Sequence, residues 1–140
     1  MIQNLSEYFE AEQEFYLDKV SYHRIGQKKQ AGEYSLNCID SIEAEVYGET
    51  VRLTVKRVLN FEPEGVFELY VSFGTVLKFI REKKKDYDWE KVNLSEEFRE
   101  NGQFVLENLM NRISLLIAEI TSSFGQAPII LPPGIASESI

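Results

Sequence analysis

His23 and Cys38, side chains of types that nucleophilic and metal chemistry use, are the single histidine and the single cysteine of this 140-residue chain. Zinc sites assemble several Cys and His ligands, and one of each cannot close such a site. A Cys–His nucleophile needs its base within reach and oriented by a third group. Cys38 instead falls in an alternating strand, where a lone thiol acts as a small hydrophobe. The chain has no Gly-rich phosphate loop, no G-x-S-x-G and no H-E-x-x-H. Glu96–Glu97 reads as a helix start and Glu62/Glu64 as a turn. The basic run Arg81, Lys83, Lys84 and Lys85 is compensated at once by Glu82, Asp86, Asp88 and Glu90, as in a solvated loop. These residues predict no catalysis, no cofactor and no metal.

Aromatic and apolar surface is the more informative chemistry. Seven Tyr, nine Phe and one Trp make 12% of the chain, and Tyr8, Phe9, Tyr22, Tyr47, Tyr70, Phe73, Tyr87 and Trp89 fall outside a clean core face. They predict a second apolar surface, either on the sheet or at an oligomer seam. The segment Ala127-Pro-Ile-Ile-Leu-Pro-Pro-Gly-Ile135 is apolar, and its prolines hold it extended and outside a sheet interior. It must fold back on the domain or meet a partner. A groove along Ile129, Ile130 and Leu131, walled by Phe124, Tyr16, Tyr22 and Tyr34, would bury the side chains of an unfolded polypeptide.

The elements that must position these residues follow from periodicity. Phe15–Ile25 reads as a strand with Tyr16, Val20 and Tyr22 on one parity, and a second strand runs through Tyr34, Leu36 and Cys38 and, after a shift of parity, Ile42, Ala44 and Val46, with a β-bulge expected near Ile39. Val51, Leu53 and Val55 alternate with Arg52, Thr54 and Lys56 in a third strand. Phe67, Leu69, Val71 and Phe73 define a fourth, which Val76–Ile80 continues beyond Gly74. Residues 81–91 read as a charged loop. A helix from about Gln103 to Ser123 carries Leu106, Leu109, Ile113, Leu116 and Ile120 at steps of three and four, widened by Met110 and Ile117, and Gly125 ends it. The order ββββα predicts an α+β fold, a four-stranded antiparallel meander packed against one long C-terminal helix. The stripe Leu109, Ile113, Leu116, Ile117 and Ile120 is expected at the interface of a homodimer or dimer of dimers.

Composition bounds the rest. The values of 44% hydrophobic and 27% charged residues are those of a globular chain, and no linker divides residues 1–140, so one domain is expected. A formal charge of −8 repels phosphate backbones and excludes a nucleic-acid reader. The acidic start (Glu7, Glu10, Glu12, Glu14) has no signal-peptide pattern, and the apolar run Ile113–Ile120 is too short for membrane insertion. With one cysteine and no internal disulfide, the expected location is cytoplasmic.

Taken in order, three strand segments and the tail resemble the SecB family of protein-export chaperones. Phe15-Tyr-Leu-Asp-Lys-Val-Ser-Tyr22 is similar to its first strand, Thr50-Val-Arg-Leu-Thr-Val55 to its third, and Phe67-Glu-Leu-Tyr-Val-Ser-Phe-Gly-Thr-Val76 to its fourth. Gly125-Gln-Ala-Pro-Ile-Ile-Leu-Pro-Pro133 resembles the Pro-bounded loop after its long helix. The likeness covers most of residues 14–135. It implies an oligomer that holds unfolded or nascent polypeptides in aromatic-lined grooves without ATP. Two departures set this chain apart from the family's coupling to the SecA motor. SecB continues into a second helix and a tail that engages SecA, whereas this sequence stops at Ile140. Lys19, His23 and Tyr70 stand near the family's acidic motor contacts. A stand-alone chaperone, or one serving a dedicated client such as an antitoxin, is the expectation. A binder of a small apolar ligand and a purely structural oligomer subunit are the alternatives.

Overall fold

The computed structural model describes residues 2–26, 33–125 and 127–135. Four strands, β1 (Phe9–Gly26), β2 (Ser35–Tyr47), β3 (Thr50–Glu62) and β4 (Val66–Phe79), are followed by three helices, α1 (Arg81–Lys84), α2 (Leu94–Asn101) and α3 (Gln103–Ser122). The strands pair antiparallel in the order β1-β4-β3-β2. The expected α+β architecture is present, a four-stranded antiparallel sheet with a long helix on one face. Strands β2, β3 and β4 form the meander, and β1 lies beside β4, so β1 and β2 are the two edges.

Strand β3 shows why one face is covered. Val51, Leu53, Val55 and Leu59 are fully buried under the helices, while Arg52 between them is exposed. Leu69, Val71 and Leu77 of β4 continue that core, and Val105, Leu109, Met110, Ile113 and Ile117 of α3 close it. Leu109, Ile113 and Ile117 therefore belong to the protomer's own core, contrary to their expected place at an oligomer interface. Fully enclosed side chains have nothing left to offer a second copy. Leu116 and Ile120 of that stripe are half-buried, and Leu115 beside them is 66% exposed.

The bulge lies in β1, not β2. Pairing of β2 with β3 runs unbroken from Ser35 opposite Glu62 to Tyr47 opposite Thr50. Leu36, Cys38, Asp40, Ile42, Ala44 and Val46 thus share one face, and Asp40 interrupts the apolar row because Arg57 stands directly opposite it. The β1 register shifts between Phe9 and Gln13, between Leu17 and Lys19 and between Arg24 and Gly26, and the middle shift leaves Asp18 as an extra residue. Phe15 and Leu17 then face the helices together with Val20 and Tyr22, while Tyr16 turns to the outer face, so Tyr16 does not share the parity of Val20 and Tyr22. Gly74, opposite Tyr16, does not bend β4. A Cβ there would stand 2.4 Å from Tyr16 Cζ, so the glycine makes room for the ring.

Residues 81–91 are helical in part rather than a loop. After α1, a 3-10 turn at Trp89–Lys91 inserts the indole into the core, 4% exposed, with Nε1–H donating to the Lys84 carbonyl at 2.8 Å. Phe79 packs between Phe9 and Trp89, 4.9 Å from each centroid. Phe9 and Trp89 consequently build the core and not a second surface. Helix α2 opens as the Glu96–Glu97 pair predicts: Asn93 Oδ1 accepts from the Glu96 N–H at 3.2 Å, and both acids occupy the first turn. Gly125, with φ 81°, supplies the left-handed stop after α3. Among the described residues no helix is long and apolar enough to cross a membrane.

Candidate functional site

Three strands and the residue preceding β2 bring aromatic rings to one end of the helix-covered face. Tyr22 of β1, Phe67 of β4, Phe61 of β3 and Tyr34 just before β2 form a row across the sheet, with successive centroids 5.7, 5.0 and 6.4 Å apart. Tyr34 can lie flat against the turn because Gly65 has no side chain; a Cβ there would meet Tyr34 Cε1 at 2.5 Å. Phe124, at the end of α3, roofs the β1 end of this row, 5.0 Å from Tyr22 and 5.5 Å from Phe67. Phe67 is buried, but Tyr22 is 43% and Phe124 38% exposed. On the same face of β1, Leu17 and Val20 are also exposed, since the helices cover the central strands and leave this edge open. The result is an apolar, aromatic strip on the open flank of the sheet.

The tail folds back on its own domain. Ile129, Leu131 and Ile135 pack against the core and Ile130 points out, 78% exposed. The Ile129 N–H donates to Thr121 Oγ1 at 2.8 Å. Arg57, buried on β3, donates from Nη1 to the Pro132 carbonyl (3.0 Å) and from Nη2 to the Gly134 carbonyl (2.9 Å). The same guanidinium forms a two-pronged pair with Asp40, Nε to Oδ1 at 2.7 Å and Nη2 to Oδ2 at 2.8 Å, and Nη1 reaches Ser114 Oγ at 3.4 Å. Burial works against the Arg57 charge, and hydrogen bonding and attraction from Asp40 outweigh it, holding the guanidinium above its ordinary pKa.

The residues expected to line one groove are therefore divided. Tyr22, Tyr34 and Phe124 meet in the aromatic cluster. Tyr16 stands on the opposite face of the sheet over Gly74, because the bulge at Asp18 reverses the facing of β1. Ile129 and Leu131 are pinned inward by the hydrogen bonds of their own segment, so Ile130 alone of the three is open. Phe67, which helps complete the row, falls within a strand whose alternation marks it as core, whereas Phe61 lies beyond the Val51–Val55 alternation, and nothing in the spacing of either distinguished it further. Arg57 and Asp40 were detectable as charges on the buried parity of two alternating strands.

His23 and Cys38 sit on opposite edge strands with two strands between them, so they cannot act together. Burial raises the Cys38 thiol pKa, and Asp40 adds to it against the opposing pull of Arg57. On the outer face, Lys19 and Lys56 both lie over the Tyr70 ring, 5.1 and 5.4 Å from its centroid. Among the described residues no three His, Cys, Asp or Glu side chains converge as metal ligands.

Neither a protein-family model nor a curated protein sequence matches the chain. Its architecture is similar to that of a solved Mycobacterium tuberculosis protein, the Rv1957 SecB-like chaperone in complex with a ChAD peptide from the Rv1956 HigA1 antitoxin. That match has a TM-score of 0.65 over 91% of this chain and 92% of the other, at 11% identity. The fold is SecB-like. A Streptococcus agalactiae protein of unknown function aligns over 87% of this chain and 99% of its own, with a TM-score of 0.37 and 10% identity. At these identities the likeness concerns the fold alone. Within the SecB-like fold, the aromatic row, its Phe124 roof and the pinned tail all lie on the helix side of the sheet.

Proposed function

We propose that the protein is an ATP-independent holdase that binds unfolded or nascent polypeptide on the flank formed by Leu17, Val20, Tyr22 and Phe124. The observation that carries this reading is the exposed aromatic strip itself, contiguous with the buried row behind it. An aromatic side chain carries roughly 150–250 Å² of surface, and burying one on this strip contributes a few kcal/mol at about 25 cal/mol per Å². Micromolar affinity is about 8 kcal/mol net of association costs. A client segment that buries three or four side chains reaches it. The SecB-like neighbour bound to an antitoxin peptide supports a polypeptide ligand, with a dedicated client or nascent chains as the source. The 18-residue β1 edge, unpaired on its outer side within the protomer, supports self-association as a homodimer or dimer of dimers. The single cysteine fits a cytoplasmic setting, and contact with a SecA motor is no part of the proposal.

The test is suppression of aggregation when a denatured client is diluted into the protein without nucleotide. Wild type suppresses aggregation, and Tyr22→Ser with Phe124→Ser weakens suppression at least about tenfold, the equivalent of about 1.4 kcal/mol, while the protein stays folded. Failure of the wild type across several clients overturns the proposal. Full suppression by the folded double variant moves the binding surface elsewhere.

A further inference from the structure

Among the described residues, the polar contacts that hold tail segment 127–135 to the body use its main chain. The Ile129 N–H and the Pro132 and Gly134 carbonyls are the bonded groups. One guanidinium collects both carbonyls, which stand two residues apart across the bend at residues 133–134. The side chains alternate, Ile129 in, Ile130 out and Leu131 in. Main-chain bonds with pockets for alternate apolar side chains are the way proteins capture extended peptides of varied sequence. Arg57 is built for that task. Asp40 takes two of its five N–H groups and fixes the plane of the fork, and of the groups left Nη1 and Nη2 reach the strap's two carbonyls while Nη1 also reaches Ser114 Oγ. A buried cation so placed has to keep acceptors at those donors, so the position favours exchange of one peptide main chain for another over vacancy.

We propose that Arg57, oriented by Asp40, and Thr121 form a seat for an extended apolar polypeptide, and that residues 129–134 fill it as an intramolecular stand-in which a client segment displaces. The partner has a stated chemistry: an extended segment with apolar residues at alternate positions and two free carbonyls spaced like those of Pro132 and Gly134. The inference rests on the holdase reading for the identity of that partner, and it adds a control. The strap competes with the client, so apparent affinity is the intrinsic affinity multiplied by the fraction of molecules whose strap is released.

The experiment uses the full chain and a fluorescein-labelled peptide of the strap's own sequence, Ala127 to Ile135, followed by anisotropy. Ile129→Asp with Leu131→Asp removes the strap's two inward anchors without touching Arg57, Asp40 or Thr121. The peptide is expected to bind this variant at least about tenfold tighter than wild type, about 1.4 kcal/mol, and adding Thr121→Val is expected to reduce that gain. A folded variant with no gain overturns the seat, and so does wild type binding the peptide equally well. If the double aspartate variant does not fold, hydrogen exchange in wild type decides. Added peptide in excess is expected to accelerate exchange at the Ile129 amide, and unchanged protection overturns displacement. Aggregation suppression by wild type is scored separately. Peptide exchange without suppression leaves the seat standing and removes the holdase, and suppression without exchange does the reverse.

Discussion

The ion pair between Arg57 and Asp40 gives the sharpest energetic prediction. Both side chains are at most 1% exposed, and the carboxylate takes two hydrogen bonds of 2.7 and 2.8 Å. Asp40→Ala leaves the guanidinium buried with no countercharge, a loss of about 3–5 kcal/mol. For a domain whose total stability is about 5–15 kcal/mol, that is about a fifth of it or more. With a urea slope of about 2 kcal/mol per molar, the unfolding midpoint should fall by about 1.5–2.5 M. The paired change Asp40→Leu with Arg57→Met removes both charges and keeps the volume, so the desolvation penalty vanishes. What remains is the loss of donors to the Pro132 and Gly134 carbonyls, about 1 kcal/mol each. The double variant should therefore lie within about 2 kcal/mol of wild type. Urea melts followed by tryptophan fluorescence read both, since Trp89 is buried in the core. An Asp40→Ala cost below about 1 kcal/mol refutes the reasoning, as does a double variant as unstable as the single one.

Three further predictions follow from other parts of the molecule. Gly74→Ala drives a methyl into the Tyr16 ring and should cost about 1–3 kcal/mol by thermal or urea melt, whereas in a Tyr16→Ala background the same change should be nearly neutral; equal costs in both backgrounds contradict the packing argument. Cys38, with its pKa raised by burial, should react with a disulfide reagent at pH 8 more slowly than a free cysteine, and a faster reaction would show a thiolate-stabilising site instead. Light scattering at micromolar concentration should give at least twice the 16.2 kDa chain mass, and Leu115→Asp, on the exposed side of α3, should lower it; a protomer mass for wild type contradicts self-association.

The parts of the fold legible in the sequence are those where one rule acted alone. Strand β3 alternates cleanly because helices cover one face and solvent the other, and α3 shows its stripe because it lies on a flat sheet. Asp40 misled the reading of β2. A carboxylate on the core parity looks like a slipped phase until its partner, 17 residues away in sequence, is known. The bulge in β1 left no mark because apolar or aromatic side chains stand on both faces around Asp18, so neither parity looks wrong. Trp89 sits among charged neighbours that project outward from a single 3-10 turn while the indole points in, a pattern too short for periodicity to reveal. Tyr22, Tyr34 and Phe124 could be named from sequence as candidate groove walls. Their convergence could not, because it depends on β1 pairing with β4 and on where α3 ends.

The extra residue in β1 has a consequence for how this chain can change length. On one side of Asp18 the strand's inward positions are Phe15 and Leu17, and on the other they are Val20 and Tyr22. Substitutions at Asp18 that keep the residue count leave both halves facing correctly. Deleting it merges the two halves into one frame and turns one pair of apolar side chains to the outer face, however conservative the surrounding sequence. Variation along this edge is thus open to replacement and closed to single-residue loss, and deletions near position 18 should be tolerated only in steps that preserve the offset between the two halves.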